Sequence, residues 1–283
     1  MCVAVRVIDG ALVAREVQQR VTEDVAALKA ARGMTPGLAI VLVNSPVARK
    51  GVAELKRRAC ESAGIYCEVH ALNSLSRQED VIKLITRLNR DPKITGVNVH
   101  PLPPQISYKA VVAALDPAKD VEGVHPLNMG KFLLGGKQYV PFTPRGILRL
   151  VESTGTDLKG KRAVIVGRSQ HVGLPVGFLL LERHATVTFA HSRSWYLEHL
   201  TREADVLVVA AGHPEMITGA MVKPGAVVID VGVNLVGDHL VGDVEHGSVR
   251  EVAGWLTPVP GGVGPMTIAA LLLNLVDCCR TDG

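Results

Sequence analysis

Short runs of apolar residues recur along this chain of 283 residues, and each is followed by a longer stretch with helical spacing. The clearest is Gly37-Leu-Ala-Ile-Val-Leu-Val43, apolar throughout and bounded by Pro36 and by Asn44-Ser45-Pro46. A run this short, apolar on both faces and framed by turn residues, reads as a strand buried on both sides. Residues 47–62 then read as a helix, Tyr66–His70 as a strand, Glu79–Asn89 as a helix and Gly96–Val99 as a third strand. A β-α-β-α-β order calls for a parallel sheet covered by helices. The stretch Pro141–Gly146 marks a boundary, and residues 147–154 read as a helix. A second strand series follows at Ala163–Val166, Thr186–Phe189, Val206–Val209 and Ala226–Asp230. The expected fold is therefore α/β with two domains: an N-terminal parallel-sheet substrate domain and a Rossmann-like nucleotide-binding domain. The expected boundaries are residues 1–140 plus 268–283 for the first and 141–267 for the second. Ligands of open α/β sheets gather beyond the carboxyl ends of the strands, so the expected site is the cleft between the domains.

Composition narrows the classes of function. Hydrophobic residues make up 47% of the chain and aromatics only 4%, so the cores are built of Val, Leu, Ala and Ile. The net charge of +4 is mild and spread out. It favours small anionic ligands slightly, and Lys56-Arg57-Arg58 is too short a basic run to argue for nucleic acid. The five cysteines, Cys2, Cys60, Cys67, Cys278 and Cys279, are odd in number, and their spacing matches no zinc motif. No metal is expected, and a reduced cytoplasmic chain is the simplest reading. The N-terminus has no signal-peptide pattern, and no run reaches the roughly 18–20 uninterrupted apolar residues of a membrane span.

Two glycine-bearing segments carry chemistry. After the strand Ala163–Val166 comes Gly167-Arg168-Ser169-Gln170-His171-Val172-Gly173-Leu174-Pro175. A glycine at the strand end permits the tight turn, and a second lets the helix approach the sheet, so the helix N-terminus can face a pyrophosphate. Ser169 breaks the G-x-G-x-x-G spacing, and that pattern alone does not settle dinucleotide binding. The next strand ends at His191-Ser192-Arg193-Ser194 with no acid, which suits a 2′-phosphate better than a free ribose. The second segment is Thr257-Pro-Val-Pro260-Gly261-Gly262-Val263-Gly264-Pro265-Met266-Thr267. Its glycines and prolines read as a rigid loop, open to a flat ligand and leading into a helix at Ile268.

The Pro260–Thr267 string resembles the C-terminal signature of the methylenetetrahydrofolate dehydrogenase/cyclohydrolase family. Gly167-Arg168-Ser169 with Val172-Gly173 and Pro175 is similar to that family's own turn variant, and Lys56-Arg-Arg-Ala-Cys-Glu-Ser-Ala-Gly-Ile65 aligns with its lysine segment without a gap. The resemblance covers essentially the whole chain. It implies NADP as cofactor, a reduced folate as substrate and a homodimer joined through the nucleotide domain. It implies that Arg168, Ser192 and Arg193 hold the 2′-phosphate. Thr143, Gly167, Ser169, Val172, Gly173, His191, Ala211, Gly212, Val231, Gly232 and Thr267 would line the rest of the cofactor site. Val52, Val99, Pro101, Leu102, Pro260, Gly261, Gly262 and Pro265 would line the folate. Lys56, His100 and Glu122 would carry the chemistry.

The chain departs from the family at that chemical end. The family tyrosine four residues before the lysine is Val52 here, or Gly51 when counted from Pro46. The family glutamine is His100, an imidazole able to carry protons near neutral pH. The family's second aspartate is Glu122, whose carboxylate is expected on the pterin ring, displaced by about 1.5 Å through its extra methylene. The family cysteine before Thr143 is Phe142, expected to alter packing only. The expected activity is NADP-dependent oxidation of 5,10-methylenetetrahydrofolate, with hydrolysis to 10-formyltetrahydrofolate weak or lost. The competing readings are a divergent relative that uses a reduced folate as one-carbon donor, and a non-catalytic folate- or nucleotide-binding protein.

Overall fold

The computed structural model describes residues 5–43, 47–136 and 139–280. Two compact units form, one from Glu16–Phe142 with the chain after Ile268, the other from residues 5–15 with Thr143–Thr267. Pro46, on which the alternative count to Gly51 rests, lies outside the described residues.

The chain opens with β1 (Arg6–Val7) and α1 (Gly10–Arg32). The first turn of α1 is capped by Asp9, whose Oδ1 accepts the Leu12 amide at 3.0 Å. Val13, Val17, Val21, Val25 and Leu28 are buried at spacings of four and then three, the stripe of a helix packed on one side. That stripe is legible in the sequence, yet the periodicity reading above assigns no element there. In the first unit β2 (Gly37–Val43) is central, with β3 (Tyr66–Leu72) and β4 (Gly96–Val99) parallel to it on either side. The crossovers are α2 (Val47–Ser62) and α3 (Gln78–Arg90). Every residue of β2 is buried, which explains its unbroken apolar run. Beyond β4 come α4 (Tyr108–Ala113), capped by Ser107, and α5 (Pro126–Leu133), capped by His125. A Cβ on Gly96 would lie 2.1 Å from Val121 Cγ1 and 2.6 Å from Leu275 Cδ1, so glycine lets the C-terminal helix close on β4.

The second unit begins with α6 (Phe142–Ser153), β5 (Arg162–Val166), α7 (Gly173–Glu182), β6 (Thr186–Ala190), α8 (Leu197–Arg202), β7 (Val206–Val209) and β8 (Val227–Asp230). An antiparallel pair, β9 (Asn234–Val236) and β10 (His239–Val241), precedes α9 (His246–Val249), β11 (Trp255–Leu256) and α10 (Val263–Arg280). The main sheet runs β1-β11-β8-β7-β5-β6, with each pairing parallel. The four expected strands are its core.

Three expectations need correction. Residues 5–15 belong with the second unit, because Arg6 and Val7 pair with Trp255 and Leu256 at the sheet edge. Gly10 is also packed on the Gly261-Gly262 backbone, where a Cβ would lie 1.8 Å from the Gly262 oxygen. α6 starts at Phe142 rather than Ile147, and α10 at Val263 rather than Ile268. In both, a proline (Pro144, Pro265) sits in the first turn, where backbone amides have no intrahelical acceptor and a missing N–H costs nothing. Among the described helices α10 alone is long and apolar enough to cross a membrane. Ala269, Leu271, Leu272, Leu275 and Val276 along it are buried within the protein.

Candidate active site

On α2 the residues Ala53, Lys56 and Cys60 are buried, at spacings of three and four that place them on one face. Lys56 is the cation in that apolar row and is only 6% exposed. A buried ammonium needs partners. Its Nζ donates to Asn98 Oδ1 at 2.7 Å and lies 3.2 Å from His100 Nε2. Asn98 and His100 come from β4 and the residue just past it, both pointing inward and both buried. The Phe142 ring centroid is 5.9 Å from the same nitrogen. The substitution expected to alter packing only therefore sets an aromatic face against the lysine.

Glu122 closes the cluster. Its Oε1 accepts from the Val99 amide at 2.6 Å and from Asn98 Nδ2 at 2.8 Å, and its Oε2 accepts from the Tyr108 hydroxyl at 3.1 Å. The carboxylate expected on the pterin ring is thus bound by three donors of its own unit. Asn274 of α10 fixes the neighbouring backbone, donating from Nδ2 to Val121 O at 3.0 Å and to Val140 O at 2.7 Å. Burial raises Glu122 to about 7, against the pull of the Lys56 charge; Asp120 raises it further, while the Val99 and Asn98 bonds lower it. Burial pushes Lys56 below the usual lysine range, while the Glu122 and Cys60 charges pull it upward. Burial, then the Glu122 charge, holds the Tyr108 phenol well above its ordinary value, so it stays a hydroxyl. The structure thus brings Lys56, His100 and Glu122 into one cluster, linked through Asn98.

Val52, one turn before Lys56, is 43% exposed and supplies no phenol. A phenol nonetheless enters the cluster from α4 as Tyr108. Sequence reasoning missed Tyr108 and Asn98. The signal for Asn98 was a polar residue inside a buried strand; Tyr108 had none, because the loop before α4 sets its direction. Val99 contributes its amide, Pro101 is exposed, and Leu102 packs on the apolar core of the unit.

The second unit carries the nucleotide-type turn. Gly167 has φ +127°, and a Cβ there would lie 2.3 Å from Ala210 O; one on Gly173 would lie 2.4 Å from Gly167 O. These glycines bring β5, α7 and the loop after β7 into backbone contact. Ser169 Oγ accepts the Val172 and Gly173 amides at 3.2 and 3.3 Å, which shapes the helix entrance. Arg168, Ser192 and Arg193 are exposed on the loops after β5 and β6. The His191 amide donates to Ser194 Oγ at 3.0 Å, and the Arg193 amide donates to His191 Nδ1 at 3.1 Å.

Two buried aspartates hold the loops after β7 and β8. Asp243 Oδ2 accepts the Ala211 and Gly212 amides at 2.7 and 2.8 Å. Asp230 accepts the amides of Gly232, Asp243 and Val244. Val231 is half-buried, and a Cβ on Gly232 would lie 2.3 Å from the Asp243 carboxyl carbon. In the Pro260–Thr267 segment the Val259-Pro260 peptide is cis, Gly261 has φ +108° and Thr267 Oγ1 donates to Val263 O at 3.0 Å. Gly262 is buried, and a Cβ on it would strike Pro258 O at 2.6 Å. The Gly262 backbone is in turn what holds position 10 to glycine. Pro260 is exposed, and Pro265 and Thr267 are half-buried on the first turns of α10.

A unit with a buried lysine-carboxylate cluster, joined to a parallel-sheet unit with a glycine turn at a strand end, defines a two-domain α/β catalytic and dinucleotide-binding protein. Comparison with known proteins agrees. Residues 8–122 match the tetrahydrofolate dehydrogenase/cyclohydrolase catalytic domain, and residues 141–282 match the NAD(P)-binding domain of that family. The bifunctional protein FolD of Moorella thermoacetica is 52% identical over 277 residues, covering 97% of this chain and 99% of that protein. The FolD of Halothermothrix orenii is 46% identical over 281 residues, covering 98% and 99%. The bifunctional FolD structure from Campylobacter jejuni has a TM-score of 0.94 at 38% identity, covering 98% of this chain and 99% of its own. The Trypanosoma brucei methylenetetrahydrofolate dehydrogenase-cyclohydrolase, complexed with NADP and an inhibitor, has a TM-score of 0.94 at 35% identity over 98% of both chains. The chain belongs to the tetrahydrofolate dehydrogenase/cyclohydrolase family.

Proposed function

We propose that this chain oxidises 5,10-methylenetetrahydrofolate with NADP and hydrolyses the methenyl product to 10-formyltetrahydrofolate. The observation that carries this reading is Lys56, a buried amine between Asn98 and His100 in the family's catalytic domain. Bound NADP would take the hydride that leaves the methylene carbon. The residues fit that cofactor: Gly167 and Gly173 admit a close backbone approach at a helix entrance, and no acid stands beside Ser192 and Arg193. Arg168, Ser192 and Arg193 would bind the 2′-phosphate, and the Ala211-Gly212 and Val231-Gly232 loops would flank the dinucleotide.

Hydrolysis adds water to the methenyl carbon, and the bond from that carbon to N5 breaks as N5 takes a proton; one proton is released overall. Burial makes the neutral amine of Lys56 accessible, so it can accept the proton of the attacking water and return one to N5. His100 Nε2 provides a second seat for that proton. The expectation of weak or lost hydrolysis rests on Val52. Two observations support retaining the step: Lys56 has its polar partners without any group at position 52, and Tyr108 brings a hydroxyl into the cluster.

The test is a paired absorbance assay with methylenetetrahydrofolate and NADP⁺, following NADPH and methenyl-folate together. NADPH without lasting methenyl-folate is the expected result. Accumulation of both would mean hydrolysis is lost, and absence of both would overturn the reading. We further place the enzyme in the cytoplasm as a homodimer joined through its nucleotide-binding unit. Sedimentation at twice the chain mass is the expected outcome for the dimer.

A further inference from the structure

The Glu122 carboxylate has different partners on its two oxygens. Oε1 faces the Val99 amide and Asn98 Nδ2, and both can only donate. Oε2 faces the Tyr108 hydroxyl, which can donate or accept. A proton arriving on Oε1 would meet two N–H groups. A proton arriving on Oε2 needs only a rotation of the phenol, which then accepts it. The asymmetry has a second consequence. Asn98 donates to Oε1 through Nδ2, so its Oδ1 is turned to Lys56 Nζ. The carboxylate therefore orients the amide that orients the lysine, and Tyr108 anchors the far side of the carboxylate.

We propose that Tyr108 is a positioning residue of the active site, whose hydroxyl confines protonation of Glu122 to Oε2 and so keeps Asn98 and Lys56 aligned in both charge states of the carboxyl. This rests on the function proposed above only for its activity readout. The charged and titratable groups that act on the carboxyl are Lys56 on α2, Tyr108 on α4 and Asp120 two residues before it; His100, after β4, contacts Lys56 Nζ. Without the hydroxyl, the ionised carboxyl loses a donor and the acid form loses an acceptor. The bond to the ion is the stronger of the two, so the Glu122 midpoint, about 7 in the intact cluster, moves upward. The expected displacement is roughly one pH unit.

The experiment compares wild type, Tyr108→Phe, Glu122→Gln and the double variant. The Glu122 side-chain carboxyl is followed by ¹³C NMR titration, and kcat and KM are followed against pH with methylenetetrahydrofolate and NADP⁺. Expected in Tyr108→Phe are an upward-shifted carboxyl titration, an acid limb of kcat displaced by the same amount, and an unchanged KM for NADP. In the Glu122→Gln background, Tyr108→Phe should move no limb. A carboxyl titration unmoved in a normally folded Tyr108→Phe protein overturns the proposal, whatever the activity. If that variant does not fold, the decision passes to wild type: a Glu122 carboxyl whose protonation leaves the Tyr108 ring resonances unaltered also overturns it. Absent turnover in wild type with a shifted NMR titration in the variant would refute the proposed reaction and leave the role of Tyr108 standing.

Discussion

Replacing Asp243 by alanine tests whether the loop after β7 is held by that carboxylate. Asp243 is fully buried, and its Oδ2 accepts the Ala211 and Gly212 amides while Oδ1 accepts Asn234 Nδ2 at 2.9 Å. Alanine strands all three donors. Hydrogen bonds to a charged acceptor contribute about 1.5–3 kcal/mol each, but Ala211 and Asn234 are half-buried and Gly212 is exposed, so water recovers much of this. A net loss of about 3 kcal/mol is expected. Asparagine should cost only about 1 kcal/mol, because its oxygen can serve both amides while Asn234 turns its own oxygen to the new NH₂. Urea unfolding gives the stability difference, and NADP titration gives the functional one. If about 1.4 kcal/mol of the loss falls on ordering the loop, NADP affinity drops roughly tenfold in the alanine variant. An alanine variant with wild-type unfolding midpoint and NADP affinity would refute the reasoning. An asparagine variant as damaged as alanine would show that charge, not acceptor geometry, holds the loop.

Three further outcomes are expected. Lys56→Met should abolish hydrolysis of methenyltetrahydrofolate and spare NADP binding; equal loss of both in a folded protein would assign Lys56 a structural role. Arg168→Ala should raise KM for NADP at least tenfold more than KM for NAD, since only one carries the 2′-phosphate; parallel losses would remove Arg168 from that contact. Glu122→Gln should change the pH dependence of stability. Burial raises the folded pKa from 4.5 to about 7, so the folded state holds the proton more tightly than the unfolded chain. That advantage is complete below 4.5 and is lost as pH rises through about 7. The stability of wild type relative to Glu122→Gln should therefore fall across that interval by roughly 3 kcal/mol, and a flat difference in urea melts would contradict it.

Much of the fold was legible from short-range pattern. β2, β4 and β7 have the bounds the apolar runs give, because residues buried on both sides leave an unbroken signature. The two early helix starts were hidden by Pro144 and Pro265, residues that read as breaks until the helix register places them in a first turn. At the site, Lys56, His100 and Glu122 were recognisable only through the resemblance of their segments to those of the family. Phe142 was visible as a change but not as a contact, and Tyr108 was not visible at all.

By itself the sequence determined the alternation of strands and helices, the parallel character of both sheets and the glycine turn after β5. Each follows from backbone stereochemistry and burial period, which neighbouring residues encode. Tertiary structure alone decided that residues 5–15 complete the second sheet, that Gly10 packs on the Gly262 backbone, and that Lys56 meets Asn98 across 42 residues of chain. It also decided that Tyr108 reaches Glu122 across 14. Such contacts depend on where whole elements come to rest, and a two-residue strand or a single hydroxyl carries no period from which that position can be read.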